Sequence, residues 1–366
     1  MFQVRSEVTH LRPYVAGKGT AEVQAAYGLR DVVKLASNEN PLGPSPLAVR
    51  AIKAFARASQ VYPEPTSLAL RRALAVHVGV PEDWILVGNG SDEVLRLLAA
   101  TYIRPGDRCL LPECSFPTYR SVSLLFSGQV QSVPLRDETM DLEAMAAAAA
   151  GARIIFLCRP NNPTGAVFAE ARFRRFMATI GPSTLVLLDE AYKEFDRTSF
   201  DSVGLLRAYP NLLLTRTFSK AHGLAGYRVG YGVAAPELWQ PLYRVREPFS
   251  VNALAQVAAA AALADDAHLQ ATLANNEQGL LYLEAACTGL GLPWVPSQGN
   301  FILVDLERPA GPVCEALLRR GVIVRPGDGF GCPTCLRVSI GTPVQNRRFV
   351  SGLKAVLAGS GRRAAH

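Results

Sequence analysis

The chain has 366 residues, of which 49% are hydrophobic and 19% are charged, a balance typical of a globular protein with a large core. Its formal net charge of +7 is dispersed without a run of five or six basic residues, so charge alone indicates no nucleic-acid partner. The first residues lack the apolar core of a secretory signal, and the most apolar stretch, residues 253–264, is too short to cross a bilayer. We therefore expect a cytoplasmic protein that binds neither nucleic acid nor membrane.

The cysteines fit a reducing compartment. There are seven of them, an odd number, scattered through a long chain at positions 109, 114, 158, 287, 314, 332 and 335. Cys332 and Cys335 have the spacing of metal ligands, but no second pair accompanies them and the five histidines are dispersed. We expect reduced thiols and no metal site.

Apolar runs followed by polar turns recur along the chain and predict a strand each. Because every run is apolar throughout, each strand should be covered on both faces, as in a parallel sheet. Helical segments, such as residues 169–180, lie between the runs, so we predict an α/β fold with right-handed crossovers. The four runs span residues 84–87, 153–158, 184–188 and 211–215.

Polar motifs follow these predicted strands. The Gly88–Asp92 turn, Asn162, Asp189 and Lys220 each come just after a strand. Ligands of such sheets bind beyond the carboxyl ends of the strands, so we expect the four motifs to converge on one crevice. Taken alone, Lys220 is equally well an ordinary surface lysine.

The chemistry of this set favours pyridoxal phosphate. The turn "GNGSDE" (88–93) offers backbone N–H groups at a helix start, and Arg228 offers a guanidinium, to a phosphate. Asp189 suits a protonated ring nitrogen, and Lys220 suits a Schiff base with an aldehyde. The ordinary alternatives are a helix cap at Ser91 or Asp92 and an acid at the end of a strand. Metal or nicotinamide chemistry explains the set less well, since the turn has neither a Walker pattern nor a third glycine.

Several motifs resemble those of the fold-type-I aminotransferases, in family order over nearly the whole chain. "NNPTG" (161–165), "DEAY" (189–192) and "SKAHGLAGYRVGY" (219–231) resemble that superfamily. "KLASNENPLGPSP" (34–46), "GNGSDE" and "LRVSIGTPVQNR" (336–347) look like its class II branch of histidinol-phosphate aminotransferases.

The resemblance implies amino transfer between histidinol phosphate and 2-oxoglutarate, with pyridoxal phosphate as cofactor. Aromatic amino acid aminotransferases and threonine-phosphate decarboxylases share the fold and many of the motifs, so both stay open as alternatives. A catalytically silent binding protein of the same fold is the alternative outside enzymes. The resemblance also implies three parts of the chain. These are a large three-layer domain at 37–248, a smaller α+β domain at 249–366 and an amino-terminal arm at 1–36 that packs with the small domain.

The family's cofactor contacts carry over to matching residues. Lys220 would hold the cofactor and shuttle the proton, Asp189 would pair with the ring nitrogen, and Phe116 would stack on the ring. The resemblance assigns hydrogen bonds to the ring's phenolic oxygen to Asn162 and Tyr192. It assigns the phosphate to Ser91, Asp92, Thr217 and Arg228. Tyr62 would reach the phosphate in a neighbouring subunit, which implies a homodimer.

The substrate contacts carry over in the same way. Arg337 would bind the carboxylate of glutamate, and Tyr14 and Arg325 are candidates for the phosphate of histidinol phosphate. Asn38, with Glu39 and Asn40, would lie on a lid over the substrate. Two departures from the family pattern touch this region: Arg159 adds a positive charge beside the cofactor loop, and Cys114 lies near the stacking position.

Overall fold

The computed structural model describes residues 2–9, 11, 13 and 17–361, with side chains as far as residue 359. In it the chain forms sheets of seven, five and two strands. Within these residues, no helix combines the length and the hydropathy needed to span a membrane.

The α-helices and strands alternate along most of the chain. The helices are α1 (Ser6–Thr9), α2 (Thr20–Tyr27), α3 (Pro46–Phe55), α4 (Leu68–Val78), α5 (Ser91–Tyr102), α6 (Thr118–Leu125), α7 (Leu142–Ala148), α8 (Glu170–Thr179), α9 (Ser202–Ala208), α10 (Pro236–Trp239), α11 (Ala253–Leu263), α12 (Asp266–Gly289), α13 (Ala310–Leu318) and α14 (Pro343–Gly361). The strands are β1 (Val33–Leu35), β2 (Ile85–Gly88), β3 (Arg108–Pro112), β4 (Gln129–Val133), β5 (Leu135–Arg136), β6 (Thr139–Met140), β7 (Ala152–Cys158), β8 (Leu185–Asp189), β9 (Leu212–Thr217), β10 (Gly230–Val233), β11 (Trp294–Val295), β12 (Phe301–Asp305), β13 (Val322–Pro326) and β14 (Cys335–Ser339).

The seven-stranded sheet has the order β2-β10-β9-β8-β7-β3-β4. Strands β9, β8, β7, β3 and β4 pair in parallel, and β10 alone runs against its two neighbours. The four predicted runs form β2, β7, β8 and β9, and every residue of β8 and β9 is buried. The predicted α/β class with a mostly parallel sheet is therefore confirmed.

The five-stranded sheet combines one strand from the amino-terminal part of the chain, β1, with four strands from its carboxyl-terminal part. Its order is β1-β13-β14-β12-β11, with β1 parallel to β13 and the other strands antiparallel. The alanine-rich helix α11 buries Ala255, Ala258, Ala259 and Ala262 in the core of the seven-stranded sheet, where it packs on α3 and α4. The division of the chain at residues 36 and 248 stays a prediction.

A small apolar cluster lies near the carboxyl ends of β8 and β9, where it brings residues that follow these strands into contact with the small sheet. It consists of Tyr192 and Phe195 after β8, Ala221 after β9, and Phe301 at the start of β12. All four side chains are buried, so the residues after these strands pack against the small sheet through apolar contacts.

Arg159, expected to add a positive charge beside the cofactor loop, is neutralised in the fold. Its guanidinium is 1% exposed, forms an ion pair with Asp196 and donates to the Thr198 hydroxyl at 2.6 Å. It also lies 4.0 Å from the centre of the Phe200 ring. A buried arginine needs such partners because an unpaired buried charge is strongly destabilising, so this residue supports packing under the loop.

Candidate active site

The carboxyl ends of β2, β7, β8 and β9 form the floor of a crevice that the small sheet covers. We define the crevice by Asn38, Asn162, Asp189, Lys220 and Arg337, which come from five separate segments of the chain. Parallel strands end at the same edge of a sheet, and this places residues far apart in sequence side by side. The hydrogen bonds described below link these segments to one another.

Lys220 lies in the loop after β9. Its Nζ donates to the backbone oxygen of Ser37 at 3.2 Å and lies 5.8 Å from the centre of the Tyr192 ring. Loss of hydration, followed by the positive charge of Arg337, lowers the pKa of Lys220 to about 8. At pH 7 about a tenth of this amine is therefore unprotonated and nucleophilic, far more than for a lysine of ordinary pKa.

Asp189 ends β8 and is 2% exposed. Burial raises the pKa of its carboxyl to about 6, and a hydrogen bond from Tyr119 works against that rise. The Tyr119 hydroxyl donates to Oδ2 at 2.7 Å, and the backbone N–H of Ala191 donates to Oδ1 at 3.1 Å. Asp189 is thus poised to stay ionised near neutral pH and to face a cation.

Tyr119 is a residue of this site that the sequence reasoning missed. It is fully buried, stacks on Phe156 with ring centres 5.2 Å apart and meets the edge of Phe116 at 5.6 Å. Tyr119 follows Phe116 by three residues at the start of α6, and this spacing puts both rings on one side of a turn. That spacing is the only sequence signal for its position.

Asn38 and Tyr192 connect the amino-terminal segment to the floor of the crevice. The Asn38 side chain, 1% exposed, donates to the Tyr192 hydroxyl at 2.9 Å, and its backbone N–H donates to Ser339 at 2.8 Å. The Tyr192 ring stands edge-on to Phe301 at 4.9 Å. Burial raises the pKa of Tyr192 above its usual range, so its hydroxyl keeps its proton and remains a donor.

Arg337 reaches across from β14 of the small sheet. Its guanidinium donates to Asn162 Oδ1 at 2.7 Å and to the backbone oxygen of Ala36 at 2.7 Å. Across the strand pair its direct neighbour is Arg325 on β13. Both guanidinium groups lie near the ring of Phe330, at 5.2 Å for Arg337 and 6.0 Å for Arg325. Two neighbouring arginines at one edge of the crevice form a positive site suited to an anion.

The turn after β2 forms an open cradle. Ser91 begins helix α5, whose preceding residue Gly90, at φ 75°, supplies no side-chain cap to the first N–H groups. Arg228 donates to Asp92 at 3.0 Å. A Cβ at Gly90 would come within 2.8 Å of the Arg228 guanidinium, and one at Gly230 within 2.4 Å of the Ser91 nitrogen. Glycine at both positions keeps the cradle open.

Hydroxyl groups line the same side of the crevice. Thr217, at the end of β9, donates to the Ser219 hydroxyl at 3.0 Å and accepts from the Ser219 backbone N–H at 3.1 Å. The uncapped helix start, the guanidinium of Arg228 and these hydroxyls are donors for a phosphate. With a buried carboxylate and an amine of lowered pKa, the donor set fits pyridoxal phosphate.

One predicted residue, Tyr62, is not brought to the crevice in this structure. The Tyr62 side chain is 79% exposed, and its ring stacks on Phe249 with centres 4.7 Å apart. Tyr14 lies outside the described residues. Of the predicted lid, Asn40 donates to the backbone oxygen of Ala221 at 2.8 Å, while Glu39 pairs with Lys34 at 2.7 Å. Among the described residues, no three His, Cys, Asp or Glu side chains are grouped to hold a metal ion.

A family model, aminotransferase class I and II, matches residues 30–353. The chain belongs to the class I and II aminotransferases. This aminotransferase is 56% identical over 358 residues to histidinol-phosphate aminotransferase from Symbiobacterium thermophilum, covering 98% of this chain and 99% of that protein. It is 46% identical to the histidinol-phosphate aminotransferase of Moorella thermoacetica, covering 97% and 93% of the two chains. The sequence resemblance to that branch is thereby confirmed.

A solved structure is similar over its whole length to this aminotransferase. The crystal structure of histidinol-phosphate aminotransferase from Sinorhizobium meliloti, in complex with pyridoxal-5'-phosphate, superposes with a TM-score of 0.92 at 27% identity. The match covers 98% of each chain. The predicted fold type is confirmed by this likeness.

Removal of the Tyr119 hydroxyl tests the support of Asp189. In Tyr119→Phe we expect kcat to fall about 10- to 100-fold, since a hydrogen bond to a charged group contributes about 1.5–3 kcal/mol. The lost bond lowers the pKa of Asp189 in the wild type, so the acid limb of the pH profile should move to higher pH. Tyr209→Phe is the control, because it removes an exposed hydroxyl that donates to the backbone oxygen of Arg174 at 3.5 Å. An unchanged kcat and acid limb in Tyr119→Phe would contradict this role.

Proposed function

We propose that the chain is a pyridoxal-phosphate-dependent enzyme that transfers an amino group between histidinol phosphate and 2-oxoglutarate in histidine biosynthesis. The products are imidazole acetol phosphate and glutamate. One observation carries the proposal: Lys220 and Arg337 converge between the two sheets in a chain 56% identical to a histidinol-phosphate aminotransferase. The Sinorhizobium meliloti relative, solved with pyridoxal-5'-phosphate, supports the cofactor.

The residues proposed to hold the cofactor divide by the group that each would bind. Asp189 would hold the ring nitrogen, Phe116 a ring face, and Asn162 and Tyr192 the phenolic oxygen. The phosphate would be held by the Ser91 and Asp92 backbone N–H groups, Thr217 and Arg228. We add Ser219 to this proposed set because its hydroxyl accepts from Thr217. When bound, the cofactor acts as a sink for the electrons released as a bond at the substrate's Cα breaks.

Lys220 has two proposed roles. Its Nζ is the covalent anchor for the cofactor, and it later takes the proton from the substrate's Cα as a general base. Both roles need an amine that gives up its proton near neutral pH. Burial between the sheets supplies that property, because desolvation penalises the charged form of an amine.

The proposed substrates differ in their anionic groups, and one pocket must accept both. Histidinol phosphate carries a phosphate and no carboxylate, whereas glutamate carries two carboxylates. A guanidinium binds either group through two parallel N–H bonds, so Arg337 suits both half-reactions. Arg325, its cross-strand neighbour, adds a second positive charge near Phe330. Like charges opposite each other on paired strands repel, and an anion bound between them would relieve this repulsion. Asn38 and Tyr14 stay proposed contacts of the substrate.

A homodimer and a cytoplasmic location are part of this proposal. Support for the dimer comes from an exposed apolar surface formed by Tyr62, the preceding Val61 and Phe249, on which the Tyr62 ring stacks. Tyr243 and Val245 are exposed as well. A second subunit would cover this surface and receive Tyr62 at its cofactor phosphate. Support for the location comes from the cysteines, all seven of which are free thiols.

The lowered pKa of Lys220 predicts how cofactor capture depends on pH. Only the unprotonated amine attacks, so the rate at which apoenzyme captures pyridoxal phosphate should rise about tenfold per pH unit below pH 8 and level off above it. Stopped-flow absorbance at low cofactor concentration measures the rate, and Lys220→Ala should show no covalent capture. A rate that keeps rising to pH 10 would show that the amine has an ordinary pKa.

The choice of substrate tests the function itself. Wild-type enzyme should form glutamate from 2-oxoglutarate much faster with histidinol phosphate than with phenylalanine at equal concentration. Enzyme-coupled detection of glutamate measures both rates. A clear preference for phenylalanine would replace the proposal with an aromatic amino acid aminotransferase. Carbon dioxide released from threonine phosphate would replace it with a decarboxylase.

Arginine variants test the shared pocket. Arg337→Ala should lower kcat/KM for glutamate and for histidinol phosphate alike, by ~30- to 1000-fold for a loss of roughly 2–4 kcal/mol. Arg325→Ala should lower kcat/KM for histidinol phosphate more than for glutamate. The exposed Arg320, on the turn before β13, provides the control variant Arg320→Ala. Equal effects of Arg325→Ala on both substrates would remove Arg325 from phosphate recognition.

A further inference from the structure

Two cysteines that the proposed chemistry does not use face each other across the boundary between the sheets. The sulfur atoms of Cys114 and Cys332 are 3.1 Å apart, and the residues are 218 positions apart in sequence. Both side chains are partly exposed, whereas the other five cysteines are buried. A small oxidant in solvent therefore reaches this pair before the others.

Cys114 and Cys332 belong to the two loops that flank the crevice. Cys114 lies after β3, two residues before Phe116, and its carbonyl accepts from Asn161 at 3.0 Å. Cys332 lies between Phe330 and the first residue of β14, the strand that carries Arg337. A bond between the two sulfurs would tie the large sheet to the small one beside the proposed cofactor and substrate contacts.

The backbone of the turn around Cys332 is tightly held. The backbone N–H of Cys332 donates to Gly327 at 3.1 Å, and that of Cys335 donates to the carbonyl of Cys332 at 3.0 Å. The turn is packed so closely that a Cβ at Gly327 would lie 2.1 Å from the Cys332 oxygen. A disulfide needs an S–S distance of about 2.05 Å, so the sulfurs must approach by about 1 Å.

We propose that Cys114 and Cys332 are an oxidative modification site, where a peroxide forms a reversible cross-link between the two sheets that slows turnover. Formation of the cross-link is independent of the proposed function. Its effect on turnover rests on that function.

With hydrogen peroxide as oxidant, the cross-link forms in two steps that together remove two electrons from the thiols. The Cys114 sulfur attacks the peroxide, becomes a sulfenic acid and releases one water. The Cys332 sulfur then displaces the sulfenic hydroxyl as a second water, so two thiols lose two electrons and two protons while hydrogen peroxide becomes two waters. A hydrogen bond to Cys114 raises the pKa of Cys332 to about 12, so its thiolate is scarce near neutral pH and Cys332 is a poor first nucleophile. A dithiol reverses the reaction by thiol–disulfide exchange.

The cross-link should affect turnover because it displaces loops that hold functional groups. Phe116 is two residues from one sulfur, and Arg337 is five residues from the other. A displacement of about 1 Å at a positioning residue can cost about a hundredfold in rate. The bond also fixes the two sheets at one separation.

The test uses holoenzyme treated with hydrogen peroxide and then freed of it. Peptide mapping by mass spectrometry without reductant should identify Cys114 joined to Cys332. At equal cofactor content, kcat should fall about tenfold or more and recover with dithiothreitol. Cys335→Ser should behave as wild type, because the Cys335 sulfur itself is not part of the proposed bond. Cys332→Ser should keep its activity through the same treatment.

Several results would overturn the proposal. These are a bond between Cys332 and Cys335, oxidation without any cross-link, a Cys114–Cys332 bond that leaves kcat unchanged, or equal inactivation of Cys332→Ser. Failure of the proposed function would appear separately, as absent amino transfer from histidinol phosphate in the untreated enzyme. The mass of the linked peptides is read without any assay of activity.

Discussion

Removal of water from the crevice between the two sheets sets the ionisation of the groups that line it. The same loss of hydration lowers the pKa of Lys220 to about 8 and raises that of Asp189 to about 6, because it favours the neutral form of each. The two values come to lie on either side of neutrality, where an amine readily loses a proton and a carboxyl still carries a charge. The hydrogen bond from the Tyr119 hydroxyl keeps the pKa of Asp189 from rising further. A buried tyrosine therefore helps to keep this carboxylate charged.

Arg337 connects this electrostatic environment to the packing of the sheets. One guanidinium on the small sheet donates to Asn162 at the end of the large sheet and to Ala36 in the amino-terminal segment. Its charge also lowers the pKa of Lys220. Arg337 thus joins three segments of the chain. A substrate anion bound to Arg337 would also change the electrostatic field at Lys220. In the proposed function, substrate recognition and amine reactivity therefore depend on the same residue.

Charge has two different uses in this fold. Arg159 is buried with Asp196 and packs on Phe200, so its charge is neutralised within the large sheet. Arg325 and Arg337 are instead placed side by side near Phe330, where the positive charges face the proposed substrate pocket. The net charge of +7 could not separate these cases, because composition carries no information about which charges have acidic neighbours.

The sequence by itself determined the class of the fold and the segments that build the crevice. Continuous apolar runs specify strands buried on both faces, and the polar turns after them specify where a ligand of a parallel sheet binds. Lys220, Asp189 and Asn162 could be named in this way because their signal is local. Only the tertiary structure decided that Tyr119 supports Asp189, that Arg325 lies opposite Arg337 and that Cys114 meets Cys332. These contacts depend on strand register and on the packing of two sheets whose segments lie far apart in the chain, and no local pattern of residues encodes such distances.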